Sequence, residues 1–139
     1  MNVNKELSAR LAEAVDARIG HCWRNAWAAL YEPEAEGALY VEGWIINPDS
    51  SIDEHGWLEL DGEIIDPTFY DPPAKFYFPG LRFDRSQARA EAPRQTNTYE
   101  PGGLPIAWRY GGGGMYNPEY RQAYEDALEF VRLEIESDD

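Results

Sequence analysis

The dipeptide Asp61-Gly62 constrains this chain more than any other feature. It separates His55-Gly56-Trp57-Leu58-Glu59-Leu60 from Glu63-Ile64-Ile65-Asp66. Asp-Gly between two such runs signals a two-residue hairpin turn, because both turn positions need a positive φ. The turn dictates a register. Leu60 lies opposite Glu63, Leu58 opposite Ile65, Trp57 opposite Asp66 and His55 opposite Thr68. Side chains alternate along a strand, so His55, Trp57, Asp66 and Thr68 share one face. His55 and Asp66 are then diagonal neighbours, roughly 7–8 Å apart, within reach of one hydrogen bond. A slip of one residue would put them on opposite faces.

The other elements follow from periodicity. Leu7, Leu11, Val15 and Ile19 recur every four residues, predicting an amphipathic helix over 5–19 that Gly20 ends. A second helix is expected from about Cys22 to Tyr31, with Trp23, Ala26, Trp27 and Leu30 as its apolar stripe, until Glu32-Pro33-Glu34 breaks it. Residues 38–46 read as a strand. Residues 71–117 have weaker signals. Phe76-Tyr77-Phe78 suggests a strand, Pro79-Gly80 a turn, 86–90 a short helix and 104–110 a last strand. The run Gly111 to Gly114 has no side chains of its own to hold it, so a mobile connector is expected. Asn117 and Pro118 start a final helix with Tyr120, Ala123, Tyr124, Ala127, Leu128, Val131 and Ile135 on its apolar face. Its acidic end opposes the helix dipole and is expected to fray.

The chain has 139 residues, 43% hydrophobic and 14% aromatic, which suits one α+β domain spanning residues 1–139. Its net charge of -14 disfavours nucleic acid and anionic membranes as partners. The bases concentrate in residues 75–109, where Arg82, Arg85, Arg89, Arg94 and Arg109 lie. They are expected to pair with the acidic remainder of the fold; the alternative is an anionic substrate or partner. A single cysteine precludes an intramolecular disulfide, a Cys-rich zinc site and CxxC redox chemistry. Two histidines leave little for a His-based metal site, and no cofactor is expected. With no apolar leader and no membrane span, a cytoplasmic location is expected.

That cysteine, Cys22, stands in Gly20-His21-Cys22-Trp23-Arg24-Asn25 at the predicted helix start. A thiol becomes a strong nucleophile only as the thiolate. The positive end of a helix and a neighbouring imidazolium both favour that form. Cys22 as nucleophile, His55 as base and Asp66 as orienter therefore make a coherent set. The Cys22 amide would be one oxyanion donor. His21, Asn25, Trp44 and Tyr40 are candidates for a second.

Cys22 opening a helix, His55-Gly56-Trp57 opening a strand and Asp66-Pro67-Thr68 ending the next resemble the core of the transglutaminase-like superfamily. The resemblance covers roughly residues 20–68. It implies a papain-like fold, a Cys22-His55-Asp66 triad and thiol-dependent acyl transfer on a protein, peptide or amide substrate. That class includes peptidases, amidases, deamidases and cross-linking enzymes.

Each residue also has a plainer reading. Cys22 alone reads as a small buried hydrophobe, His55 as a structural histidine and Asp66 as a turn former. Trp23/Trp27 and Trp44/Trp57 read as core, and Glu42 as a solvated strand residue. The alternative function is an inert acidic binding domain that uses residues 75–109. An acidic mimic of nucleic acid is disfavoured because the charges are interleaved with core residues.

Overall fold

A computed structural model describes residues 1–91 and 103–138. Four helices surround one four-stranded antiparallel sheet, so the protein is α+β. The strands are β1 (Leu39–Ile46), β2 (Ile52–Leu60), β3 (Glu63–Ile65) and β4 (Phe76–Phe83), in the order β3-β2-β1-β4. The helices are α1 (Lys5–Ala14), α2 (Cys22–Ala29), α3 (Arg85–Glu91) and α4 (Pro118–Asp138).

The Asp61-Gly62 hairpin has the predicted register as far as Ile65, but the ladder ends there, so the expected pairs of Trp57 with Asp66 and His55 with Thr68 are not part of it. Leu60 pairs with Glu63, Glu59 with Ile64 and Leu58 with Ile65. Asp61 and Gly62 take positive φ of 52° and 77°. β2 is longer than its apolar pattern suggested, because Ile52 to Glu54 pair with Trp44 to Ile46 of β1.

α1 stops at Ala14 rather than continuing to Gly20. Asp16 adopts a left-handed φ of 53°, which breaks the helix. Arg24, reaching back from α2, donates to the Val15 carbonyl at 2.6 Å and the Asp16 carbonyl at 3.1 Å. Ile19 is consequently outside the helix and exposed, while Leu7, Leu11 and Val15 are buried as expected. At the other end Asn4 caps α1, accepting from the Leu7 amide at 3.0 Å.

One core joins α1 and α2 to the sheet through Leu11, Ala26, Leu30, Tyr40, Leu58 and Ile65. A second packs Val41, Ile45, Trp57, Ile64 and Ala74, with Phe69 and Tyr77 beside them. The strands alternate between these two sets, as a sheet covered on both faces must.

Residues 71–117 depart most from the sequence-based expectations. Pro79-Gly80 is not a turn. It lies within the edge strand β4, at an irregularity opposite Glu42 and Gly43, where a proline costs no ladder bond. A Cβ on Gly43 would fall 2.2 Å from the Phe78 carbonyl oxygen, so only glycine fits that crossing. Residues 106–110 form a short 3-10 helix instead of a strand. Gly112–Gly114 makes a turn of positive-φ glycines, and it does have side chains holding it: the Tyr116 ring lies against Gly112, while Tyr120 and Ala107 crowd Gly114. The predicted short helix is present as α3.

α4 begins as expected. Asn117 Oδ1 accepts from the Tyr120 amide at 3.0 Å, with Pro118 in the first position. Tyr120, Ala123 and Ala127 are buried and Phe130 packs on Phe76 and Phe78 of β4, but Leu128 and Ile135 are exposed. Instead of fraying, α4 stays helical through Asp138, with Arg132 donating to Glu136 at 2.6 Å. No helix among the described residues is long and apolar enough to cross a membrane.

The arginines of residues 75–109 are mostly engaged within the fold. Arg82 bonds Glu59 at 2.7 Å, and Arg109 pairs with Glu91. Arg85 donates to the Leu30 and Glu32 carbonyls, both at 2.7 Å, satisfying the chain as it leaves α2. Arg89 lies over the Tyr31 ring, 4.9 Å from its centroid. Arg94 falls outside the described residues.

Candidate active site

Cys22, His55 and Asp66 come together at the open end of the hairpin. β3 stops at Ile65, so the chain after it is free to leave the ladder. Asp66 turns there and is fully buried. Its Oδ1 accepts the amides of Thr68 and Phe69, both at 3.0 Å. Its Oδ2 accepts from Tyr77 Oη at 2.7 Å and meets His55 Nε2 at 2.9 Å. The backbone amide of Asp66 donates to Ser8 Oγ at 2.9 Å. Asp66 thus forms the turn through Oδ1 and bonds the His55 ring through Oδ2.

His55 is 1% exposed. Phe69 stacks on its ring at 4.9 Å and 7°, closer than Trp57 at 6.1 Å and 21°. With Nε2 on Asp66, the ring shares a cleft with Cys22, whose thiol adds to the stabilisation of the charged imidazole. Burial disfavours the charged ring, but the Asp66 carboxylate outweighs it. With the Cys22 contact added, the imidazole is pushed up to about 10.

Cys22 is the first residue of α2 and is half-buried rather than sealed in the core. His21 precedes it as an exposed cap residue whose side chain makes no capping bond. Gly56 lets the helix approach: a Cβ there would meet the Trp23 ring at 2.8 Å. Asn25, one turn on, ties α2 to the strand end. Its Nδ2 donates to Thr68 Oγ1 at 2.9 Å and to the Arg18 carbonyl at 2.8 Å.

Cys22 and His55 open into one cleft of about 400 Å³, lined also by Trp23, Trp44, Glu54, Phe69 and Trp108. A larger cavity of about 700 Å³ lies by the N-terminal residues and β4. Its Arg82 and Lys75 are paired with Glu59 and Glu134, and neither Cys22 nor His55 reaches it. The smaller cleft is therefore the one that holds both the thiol and the imidazole.

Three of the four candidates for a second oxyanion donor are committed elsewhere. Asn25 holds Thr68, Trp44 Nε1 donates to the Tyr120 carbonyl at 3.2 Å, and Tyr40 Oη donates to Glu42 Oε2 at 2.6 Å. Trp23 and Trp44 are cleft walls rather than core, whereas Trp57 is fully buried.

Glu42 is not solvated. It is fully buried and accepts the Ile106 and Ala107 amides, both at 2.7 Å, besides Tyr40. Burial pushes its carboxyl up to about 7 against these three donors. This buried carboxylate anchors the 106–110 turn and so places Trp108 at the cleft, where Trp108 Nε1 donates to Glu54 Oε2 at 2.8 Å.

Sequence reasoning missed Phe69, Tyr77, Glu54 and Trp108. Only Tyr77 carried a signal, its strand-like neighbours, and that did not point to Asp66. Among the described residues no group of three His, Cys, Asp or Glu side chains could hold a metal ion. No family model, curated protein or solved structure matches this chain.

Proposed function

We propose that the protein carries out thiol-dependent acyl transfer at an amide, on a papain-like, transglutaminase-like scaffold. One observation carries the reading: a single buried imidazole is bonded through Nε2 to the buried Asp66 carboxylate and lines the same cleft as the thiol of Cys22.

In this mechanism His55 takes the thiol proton, and the Cys22 sulfur attacks the amide carbonyl. A C–S bond forms, and the carbonyl oxygen gains charge near the first amides of α2, which have no acceptor within the helix. His55 returns the proton to the leaving nitrogen as the C–N bond breaks, leaving a thioester. Water or an amine then attacks the thioester with His55 as base, which gives hydrolysis, deamidation or transfer. Asp66 keeps the imidazole in one orientation and stabilises its charged form. The fixed Asp66 favours this reading, since two backbone amides and Tyr77 hold it independently of the histidine.

The test is alkylation by iodoacetamide near neutral pH, followed by mass spectrometry with Cys22→Ala as the blank. Cys22 should react far faster than an ordinary thiol, by on the order of a hundredfold, and His55→Ala should abolish the excess. An ordinary rate that ignores His55 would sink the proposal and favour an inert binding domain.

A further inference from the structure

We infer that the cleft beside Cys22 selects a positively charged side chain of the lysine type, carried by the residue whose carbonyl the thiol attacks. This rests on the acyl-transfer reading for the reacting end, and adds the substrate class.

The cleft joins two kinds of surface. Trp23, Trp44 and Trp108 form its aromatic walls, and Glu54 and Asp53 supply its acidic lining. Among the described residues no lysine or arginine lines it. Glu54 is held through one oxygen only. Its Oε2 accepts from Trp108 Nε1 at 2.8 Å and from Tyr120 Oη at 2.5 Å. Oε1 has no hydrogen-bond partner among the described residues, and both donors to Oε2 are neutral. The carboxylate is thus fixed in direction without an ion-pair partner among the described residues, the imidazole that shares the cleft being bonded to Asp66.

Three ligand types can be weighed against this lining. An anion would meet two carboxylates, and the imidazole beside them is already matched by Asp66. A neutral apolar group would use the indole faces but would strip water from Glu54 without replacing it. An alkylammonium uses both surfaces. Its methylene stem packs on the tryptophans while its charge meets the ring faces and the free Glu54 oxygen. The overall charge of -14 adds a long-range attraction for cations. The residue that supplies the acyl group stays bonded to the thiol throughout the thioester stage, so its side chain is the one held longest in the cleft.

The test compares labelling of Cys22 by the N-acetyl chloromethyl ketones of lysine, norleucine and glutamate, read as second-order rates by mass spectrometry. The lysine probe should exceed norleucine by roughly tenfold, with glutamate slowest, and the gap should narrow in high salt. In Glu54→Gln the lysine-to-norleucine ratio should fall to within about twofold of unity. Should that variant misfold, Trp108→Ala at the exposed rim should reduce the same ratio at least threefold by roughly the same reasoning. Equal lysine and norleucine rates in the wild type overturn the inference, as does a ratio that neither substitution changes. The ratio cancels the intrinsic reactivity of the thiol. Iodoacetamide, small and uncharged, reports that reactivity alone, so failure of the cation selectivity and failure of the acyl-transfer reading give different results.

Discussion

Residues 20–68 and residues 71–117 reach their places by different means. In the first segment, local rules position the chemistry. A two-residue turn sets the strand register, and strand alternation puts His55 and Asp66 on one side. In the second, single buried polar groups belonging to the first segment do the positioning. Glu42 on β1 holds the Ile106 and Ala107 amides across 64 and 65 residues, and Asp66 receives Tyr77 from β4. The first segment therefore supplies the thiol, the imidazole and the carboxylate, and the second supplies one wall of the cleft and a support for the histidine's partner. A local pattern is legible because it repeats along the chain. A long-range anchor is a single residue type with no repeat.

The strongest way to break this contrast is at Asp66, where the two segments meet. Asp66→Ala leaves the His55 ring and the Tyr77 hydroxyl without their acceptor in a buried site. It should destabilise the protein by about 3–5 kcal/mol in urea denaturation, and the rapid alkylation of Cys22 should disappear. A loss below about 1 kcal/mol would mean that the turn, not the carboxylate, organises the site.

The pH dependence isolates the histidine. Its folded-state pKa is raised, from 6.5 to about 10, so charged His55 contributes stability that is complete below pH 6.5 and is lost as pH rises through about 10. The wild type should therefore lose stability across that window. His55→Gln should flatten the profile there, measured by denaturation at a series of pH values.

The second segment is tested at Glu42. Glu42→Gln keeps the size but cannot accept at both ends, so one of the Ile106 and Ala107 amides or the Tyr40 hydroxyl loses its bond. The expected cost is about 1–3 kcal/mol by chemical denaturation. Labelling by the lysine probe should fall more than the iodoacetamide rate, because Trp108 would lose its anchor while Cys22 and His55 keep theirs.

The smallest effect is expected at Tyr77. Tyr77→Phe removes one of four donors to Asp66 and should cost about 1 kcal/mol, with Cys22 alkylation still dependent on His55. A collapse of the alkylation rate in this variant would make Tyr77 part of the reacting apparatus and erase the division between the two segments.

Much of the candidate site was legible without coordinates, for reasons visible in particular residues. Gly20 and Cys22 marked a helix start, Asp61-Gly62 marked a register, and Asn117-Pro118 marked the start of α4. The errors have physical sources too. Pro79-Gly80 looked like a turn because edge-strand bulges use the same residues as turns. Residues 104–110 looked like a strand because Ile, Trp and Tyr favour one. Their backbone amides instead found the Glu42 carboxylate, and a tertiary anchor outweighs a propensity of at most about 1 kcal/mol. The glycine run looked unsupported because its supports, Tyr116 and Tyr120, lie after it in the chain.

By itself the sequence determined the hairpin register, the helix carrying Cys22 and the shared side of His55 and Asp66, since these depend on turn chemistry and side-chain alternation over a few residues. Only the tertiary structure decided that Glu42 is buried, that Tyr77 supports Asp66 and that three tryptophans and Glu54 wall one cleft with Cys22. Those facts depend on which distant groups exclude water from one another, and no local spacing encodes that.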